Sequence, residues 1–281
     1  MLGRYTTGPC GGRECSTTAP LRARSAPVAG SRSIHPVTAD DPYYRHDLAL
    51  VHHLGFSHHA HHCAPGILEL LRPVRERDGL VVELGCGSGL LTRHLLDAGH
   101  RVIATDASPA MLELAATVAG DAEAIRRLTL PHDPIPPADA IVSVGHALNY
   151  LPDEDAIDRA LTAIAVALRP GGIVAIDLCD LDYAEGLSDQ PSFGKAGDDW
   201  AIVTQRSMPE PARFVRTMVI FTRNTDGSWR RDDEVHVNVL VDVSRVPEHL
   251  ARNGVDARVG DSFGSEGLPA GLRTIVGTRR A

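Results

Sequence analysis

The stretch VVELGCGSGLLTRHLLDAGHRVIATD, residues 81–106, decides the fold of this chain. Residues 80–85 form an apolar run that predicts a buried strand, and 90–99 have the spacing of an amphipathic helix that ends at Gly99. Residues 101–106 predict a second strand. A strand, a glycine-rich turn, a helix and a strand in this order are typical of a parallel sheet with helices on its faces.

The same alternation continues after this stretch. A helix is predicted over 108–120, with Ser108 as its N-cap and Pro109 at its first position. Three further elements follow in the pattern: a strand over 138–145, a helix over 153–168 and a strand over 173–178. The sequence therefore predicts a doubly wound α/β fold, and such sheets bind ligands at the carboxyl ends of their strands.

The glycines of ELGCGSG, residues 83–89, indicate what this sheet binds. They stand at positions 85, 87 and 89, whereas the dinucleotide fingerprint G-x-G-x-x-G requires its third glycine where Leu90 stands. Glycine allows a sharp turn whose backbone can touch a ligand. Asp106 ends the next strand, where a carboxylate can accept hydrogen bonds from both ribose hydroxyls. The spacing disfavours a nucleotide-binding Rossmann oxidoreductase, which we keep as an alternative function.

These residues resemble the class I S-adenosylmethionine-dependent methyltransferases, from about Gly79 to Asp177 and more loosely to the C-terminus. The resemblance implies a Rossmann-like, mostly parallel seven-stranded sheet, S-adenosyl-L-methionine as cofactor and in-line methyl transfer to a small molecule. A methyltransferase-like protein that binds the cofactor without transferring methyl is a second alternative. The resemblance assigns cofactor binding to Glu83, Gly85, Cys86, Gly87, Gly89, Asp106, Ala107, Met111 and Gly145.

The roles of these residues follow from the same resemblance. The three loop glycines would hold the methionine part of the cofactor and Glu83 would support their loop. Asp106 would hold the ribose, and Ala107 and Met111 would border the adenine. In a competing interpretation, Glu83 and Asp106 only cap neighbouring backbone groups.

The adenine amino group lacks an evident partner in the sequence. Family members usually place an acid just after the third strand, but Arg126 stands at that position here. The candidates that remain are Asp133, if its loop shifts, and the backbone groups of Leu128 and Thr129.

The segment SVGHALNYL, residues 143–151, follows the fourth strand, which in this family faces the methyl group. His146 is the catalytic candidate, because an imidazole can accept a proton near neutral pH. An equally weighted interpretation has His146 and Asn149 satisfying backbone groups around the cofactor. The substrate-binding candidates are Tyr44, Phe56, His58, His62, Asn149 and Tyr150.

Six histidines and one cysteine crowd residues 51–63. His58 and His62 have the i, i+4 spacing of two zinc ligands on a helix. No H-E-x-x-H motif and no third ligand at a fixed spacing accompany them, so we expect no metal. We predict a helix over 41–56 that stops at Gly55 and a short second helix through Cys63, before Pro65 opens another. The cluster is interpreted as a lid and pocket rim.

The remaining organisation is predicted as follows. Residues 1–40 form a disordered tail and 41–281 form the methyltransferase domain, with a helical lid over 41–78 and an antiparallel insert over 200–242. The strands of the insert are predicted over 200–207, 214–223 and 228–242. The C-terminal segment is predicted to form a helix followed by two strands.

Charge and composition reduce the classes of binding partner that we expect for this chain. The chain has a net charge of −8, and its first 36 residues hold five arginines against one glutamate, so the rest is more acidic still. An acidic body without a basic stripe argues against nucleic acid, and no apolar run is long enough for a membrane helix. Five scattered cysteines without a C-x-x-C pair favour a cytoplasmic setting. The expected partners are a small-molecule methyl acceptor and, as an open alternative, a second copy in a homodimer.

Overall fold

A computed structural model describes residues 43–185 and 192–281, so the tail predicted for 1–40 lies outside the described residues. The helices and strands follow the chain in this order: α1 (His46–Gly55), α2 (His58–Glu76), β1 (Leu80–Leu84), α3 (Leu90–Asp97), β2 (Arg101–Asp106), α4 (Pro109–Val118), β3 (Ala124–Arg127), β4 (Ala138–Ser143), α5 (Glu154–Ala167), β5 (Leu168–Cys179), β6 (Ser192–Ala196), β7 (Trp200–Glu210), β8 (Arg213–Arg223), β9 (Trp229–Val239), α6 (Val246–Arg252), β10 (Val255–Gly260) and β11 (Leu272–Arg279). Short 3₁₀ turns cover Ala147–Tyr150 and Val243–Arg245.

Seven strands form the main sheet in the order β10-β11-β5-β4-β1-β2-β3. The five strands from β5 to β3 are parallel, whereas β11 runs antiparallel to β5 and β10 antiparallel to β11. The strand order reverses between β1 and β4, which makes this the switch point where an α/β sheet binds its ligand. The predicted Rossmann-like, mostly parallel seven-stranded fold is confirmed.

Helices cover both faces of the main sheet, which explains the continuous apolar runs of its inner strands. On one face, Ile157 and Leu161 of α5 pack with Leu250 of α6 in a fully buried cluster. On the other face, Ile67 of α2 and Leu95 of α3 are equally buried. The N-terminus of α4 also follows the prediction, because the side chain of Ser108 accepts a hydrogen bond from the amide of Met111.

The second sheet is an antiparallel meander in the order β6-β7-β8-β9. Its strands β7, β8 and β9 correspond to the three strands predicted for the insert, and β6 is an additional strand that the sequence analysis missed. One face of this sheet packs against α1, where Leu48 meets Ile202, Met218 and Ile220. Alternate residues of β7 and β8 therefore point toward α1.

The helix α2 differs from the prediction. Instead of a short helix before Pro65 and another after it, one helix runs through both Pro65 and Pro73. Cys63, Ile67 and Leu71 lie four residues apart and are fully buried on one face. Burial of that continuous face outweighs the lost backbone hydrogen bonds at the prolines. The stop of α1 at Gly55 is as predicted.

Within the part of the chain that the structure describes, none of the helices combines the length and the apolar character needed to cross a membrane.

Candidate active site

The glycine turn between β1 and α3 has a backbone that side chains would not permit. Gly85, Gly87 and Gly89 have φ angles of 67°, 54° and 80°, all in the left-handed region that favours glycine. A Cβ atom on Gly85 would lie 2.5 Å from the Cβ atom of Ala147. A Cβ atom on Gly87 would meet nothing within 4 Å, so this residue faces open space. The middle of the turn therefore borders a space that a ligand could fill.

Two acids, Glu83 and Asp106, hold the glycine turn in place through hydrogen bonds. Glu83 of β1 is buried and accepts a 2.6 Å hydrogen bond from Oγ1 of Thr92 in α3, and burial raises its pKa to about 8. Asp106 accepts 2.8 Å hydrogen bonds from the amides of Gly87 and Ser108. Burial raises the pKa of Asp106 too. Both acids bind neighbouring groups, and each oxygen of Asp106 keeps lone pairs for a further donor.

The other residues predicted beside the cofactor surround this turn. Cys86 is buried, its amide donates to the carbonyl of Thr105 at 2.9 Å, and burial raises the pKa of its thiol. The side chain of Cys86 is therefore packed inside the fold beside the turn. Ala107 is exposed, whereas Met111 is buried in α4.

The loop after β3 contains the residues that the sequence analysis considered as partners of the adenine amino group. Arg126 is exposed, and Asp133 accepts a 2.7 Å hydrogen bond from the amide of Thr129. The amide of Leu128 donates to the carbonyl of Asp106 at 3.0 Å. The backbone amides of Leu128 and Thr129 are thus both engaged, the first with the end of β2 and the second within the loop.

Asp177 of β5 organises the carboxyl end of β4 and was not singled out from the sequence. Its fully buried carboxylate accepts hydrogen bonds from the amides of Gly145, at 2.9 Å, and His146, at 2.5 Å. It also lies 2.9 Å from Nε2 of His59. Its position beside β4 depends on strand pairing between distant parts of the chain, a relationship that the sequence pattern does not reveal.

His146 stands where the glycine turn meets the lid, with a φ angle of 51°. Its ring is stacked 5.8 Å from the ring of Tyr150 and lies 5.8 Å from that of Tyr183. Its Nδ1 atom is buried and has no hydrogen-bond partner among the described residues. Burial, with a smaller contribution from Arg216, lowers the pKa of His146 to about 3. The imidazole is therefore neutral near physiological pH.

Asn149 does not serve as a substrate ligand. Its side chain is fully buried, Nδ2 donates to the carbonyl of Val239 at 2.6 Å, and Oδ1 accepts from the amide of Cys179 at 2.9 Å. These bonds join β5 to the end of β9. They occupy both the nitrogen and the oxygen of the Asn149 side-chain amide. Of the two interpretations of Asn149, the structure supports backbone satisfaction, and the substrate-binding prediction is corrected.

The lid contacts both loops through histidines other than the two predicted. His53 of α1 lies 2.9 Å from Oγ of Ser88 in the glycine turn, and His59 reaches Asp177. His58 and His62 are exposed and stack on each other with ring centroids 5.0 Å apart. One residue along an α-helix is a rotation of about 100°, so His59 shares the buried face of Cys63 while His58 does not.

Over 43–185 and 192–281, no group of three or more histidine, cysteine, aspartate or glutamate side chains is arranged to hold a metal ion.

A cavity lies between α1 and the antiparallel sheet, and we call it the acceptor cavity. The empty volume within its lining is about 690 Å³, and this figure includes space that is open to solvent. The residues that line it are Tyr44, Leu48, His52 and Phe56 from the lid, Tyr183, and Phe193, Ile202, Thr204, Arg206, Phe214, Arg216 and Met218 from the second sheet. Tyr44 and Phe56, which the sequence analysis assigned to substrate binding, belong to this lining.

Tyr150 connects the cavity with His146. Its hydroxyl lies 2.8 Å from the hydroxyl of Tyr44 and accepts a hydrogen bond from Arg216. Its ring stacks on His146 at the carboxyl end of β4. Tyr150 therefore links two lining residues of the cavity, Tyr44 and Arg216, to His146 at the carboxyl end of β4.

Comparison with known proteins agrees with this geometry. A family model described as a methyltransferase domain matches residues 81–172, from β1 into β5. The uncharacterized methyltransferase YrrT of Bacillus subtilis (strain 168) is 42% identical over 85 residues, which are 29% of this chain and 39% of that protein. The glycine N-methyltransferase of Rattus norvegicus is 31% identical over 121 residues, 37% of this chain and 41% of that protein. The chain thus spans less than half the length of these two relatives.

Solved structures extend the likeness in fold to most of the chain. A S-adenosylmethionine-dependent methyltransferase from Clostridium acetobutylicum ATCC 824 superposes with a TM-score of 0.67 at 17% identity, over 79% of this chain and 92% of that one. The sugar N-methyltransferase KedS8 from Streptoalloteichus sp ATCC 53650 gives 0.67 at 18% identity, over 87% and 97%. At these identities the likeness concerns the fold. Together with the family model over 81–172 and the glycine spacing, it supports a class I methyltransferase fold with S-adenosyl-L-methionine as the cofactor.

Proposed function

We propose that this enzyme transfers a methyl group to a small molecule bound in the acceptor cavity. The carrying observation is the cavity itself, which is lined mainly by aromatic and apolar side chains with a few polar groups, as small-molecule sites are. It opens beside His146, at the carboxyl end of β4. In this proposal residues 41–78 act as the lid and the insert over 200–242 forms the wall of the acceptor site.

The residues at the glycine turn fit the cofactor. Gly87 faces open space, and the Asp106 carboxylate beside it has unused lone pairs suited to ribose hydroxyls. The exposed Ala107 leaves room for the adenine, and Gly85, Gly145 and their loops would hold the methionine part. When bound, S-adenosyl-L-methionine supplies a methyl group activated by a sulfonium.

The chain's own contribution is mainly positioning. Holding an acceptor in line with a methyl group removes most of the entropic barrier to their reaction. The aromatic walls formed by Tyr44, Phe56 and Phe214 restrict the orientation of the acceptor. His146 is the candidate proton acceptor: burial keeps its imidazole unprotonated, and the same lowered pKa makes it a weak base, so its share in catalysis has to be measured.

The comparisons support a small acceptor without identifying it. The names of the similar proteins include a sugar N-methyltransferase and a glycine N-methyltransferase, both of which act on small molecules. The cavity is lined by α1 and the second sheet, mainly through apolar and aromatic side chains. These observations favour a metabolite over a macromolecule.

The test is an acceptor screen in which release of S-adenosylhomocysteine is measured by mass spectrometry. We expect release to depend on a small molecule. For the acceptor found, Phe214→Leu should raise KM while leaving the Kd of S-adenosylhomocysteine unchanged, because Phe214 lines the cavity and otherwise packs with Leu240 and Leu272 rather than at the glycine turn. The matched control is Phe221→Leu, on the opposite face of the same strand β8. Release that requires a protein or nucleic acid instead would refute the proposal.

A further inference from the structure

Two arginines stand directly opposite each other in the wall of the acceptor cavity. Arg206 of β7 and Arg216 of β8 are paired in the antiparallel register, and both line the cavity. Like charges placed opposite each other on neighbouring strands destabilise a sheet. The pair therefore has a cost in the folded protein unless something in the cavity offsets it.

Neither guanidinium of this pair forms an ion pair with a carboxylate of the described residues. Burial lowers the pKa of Arg206, and the proximity of Arg216 lowers it further. For Arg216, burial opposes the charge, but the hydroxyls of Tyr150 and Tyr44 outweigh it and raise the pKa above its ordinary value. Both groups remain charged at physiological pH, because an arginine loses its proton only in strong base.

Every other arginine of the insert is paired. The pairs, which all lie outside the cavity lining, are Arg213 with Glu210, Arg223 with Asp199, Arg230 with Asp47, and Arg231 with Asp233. Carboxylates thus accompany the insert arginines that lie outside the cavity lining, whereas the two that line the cavity have none among the described residues. A charge without a partner in a partly buried site is costly unless a ligand provides the counter-charge.

The two guanidiniums are nevertheless held in place. Arg216 donates from Nη2 to the hydroxyl of Tyr150 and, at 3.1 Å, to Oδ1 of Asn238, while its Nε atom is buried with no partner among the described residues. Arg206 lies over the ring of Phe193, with its Cζ atom 4.5 Å from the ring centroid. Orientation by neighbours combined with unused donors is the arrangement of a preorganised anion site.

The next residue in this cross-strand row does not supply the counter-charge. His236 of β9 is opposite Arg216, and burial lowers its pKa well below the ordinary value, so it is neutral. Its Nε2 atom lies 2.8 Å from Oε2 of Glu234, whose carboxylate also accepts from the amides of Tyr44 and Arg45. That acid is engaged with the lid rather than with the arginines.

From this arrangement we propose that the methyl acceptor is a small organic anion, whose carboxylate or phosphate group bridges Arg206 and Arg216 while its apolar body lies among the aromatic walls. The planar guanidinium fork suits both of these oxyanions. The walls of Phe56, Phe214 and Tyr183 suit a flat or apolar body. This inference rests on the proposed function and deepens it by naming the substrate class.

The test measures binding to the full chain by calorimetry, with and without S-adenosylhomocysteine. The probes are benzoate, phenyl phosphate and the neutral benzamide. We expect at least one anion to bind at least about tenfold more tightly than benzamide, with an affinity that falls as salt rises. The tighter anion identifies the preferred oxyanion. Arg206→Gln and Arg216→Gln should each weaken that anion at least about tenfold, whereas Arg223→Gln, outside the cavity, should leave it unchanged.

Three results would overturn the inference. One is benzamide binding as tightly as both anions, and the second is anion binding that survives both cavity variants. The third is no anion binding up to about 10 mM, since even a poor ligand of this size should bind within that range. Binding of S-adenosylhomocysteine separates the two levels: if it binds while the anions fail, the substrate class is wrong and the methyltransferase site stands.

Discussion

The amide nitrogen of Gly87 lies 2.8 Å from Oδ2 of Asp106, so the carboxylate that ends β2 holds the glycine turn that follows β1. The same carboxylate accepts a second bond, from the amide of Ser108 at the start of α4. One acid thus fixes two loops at the carboxyl ends of neighbouring strands. Both loops have their binding geometry before any ligand arrives, which lowers the entropic cost of binding.

Gly87→Ala should weaken cofactor binding because the added methyl group would occupy the open space in front of the turn. We expect the Kd of S-adenosylhomocysteine, measured by calorimetry, to rise at least about tenfold, which corresponds to about 1.4 kcal/mol. The backbone strain of an alanine at positive φ has to be separated from this effect.

Gly171→Ala provides that control. Gly171 has a φ angle of 72° and nothing within 4 Å of its added Cβ atom, as at Gly87, but it lies at the opposite end of β5 from the site. Both variants should lose similar stability, and only the first should lose cofactor affinity. Equal affinities in the two variants would show that Gly87 does not face the cofactor.

Glu83→Gln should change the pH dependence of stability. With a pKa of about 8 in the fold against 4.5 ordinarily, Glu83 retains a proton in the folded state that the unfolded chain has released between these pH values. The free energy of unfolding therefore falls as pH rises through this window. Glutamine cannot ionise and keeps an oxygen for Thr92, so urea unfolding of the variant should show a shallower decline from about pH 5 to about pH 8.

The exposed Glu113 of α4 offers a comparison for this measurement. Glu113→Gln should leave the pH dependence as in the wild type. If Glu83→Gln lowers the free energy of unfolding equally at every pH, the buried carboxyl is ionised and its stabilising role is that of a charged acceptor.

Asn149→Ala should destabilise the fold rather than impair substrate binding. The change leaves the amide of Cys179 and the carbonyl of Val239 without their partners, at a cost of about 1–3 kcal/mol for each buried group. Asn253→Ala, which removes one partly buried bond to the carbonyl of His249, should cost about 1 kcal/mol. The measurement is chemical unfolding; a raised KM at unchanged stability would restore Asn149 to the substrate site.

The main sheet could be predicted from the sequence because strand and helix periodicities are local. The stretch from Leu80 to Asp106 contains its own apolar pattern, turn glycines and helix stop, and the structure reproduces them within two residues. The helix through Pro65 could not be predicted in this way. Its continuity depends on burial against a sheet that lies elsewhere in the sequence.

The site was predictable only in part for the same reason. The glycine turn and Asp106 belong to one contiguous motif, so their proximity follows from the sequence. Arg206 and Arg216 face each other only through the register of β7 and β8, and Asp177 reaches His146 only because β5 pairs with β4. For the lid, the apolar spacing of Cys63, Ile67 and Leu71 was a usable signal, since it places His59 rather than His58 on the inner face.

Substitution of His146 tests whether this residue has a chemical role in methyl transfer. If its imidazole accepts the proton of the acceptor, His146→Ala should lower kcat by about 10² to 10⁴ and leave the Kd of S-adenosylhomocysteine nearly unchanged. The control His94→Ala alters a histidine that pairs with His61 outside the site, and it should retain full activity.

The pH profile gives a second, independent reading of the same residue. Because burial holds the pKa of His146 near 3, its imidazole stays available as an acceptor well below pH 6.5, where an ordinary histidine would become protonated. The ratio of wild-type to His146→Ala kcat should therefore remain constant between about pH 5 and about pH 8. A ratio that falls toward unity below about pH 6.5 would mean that His146 titrates normally when substrates are bound. A ratio near one throughout would leave alignment of the acceptor as the source of catalysis and give His146 no part in proton transfer.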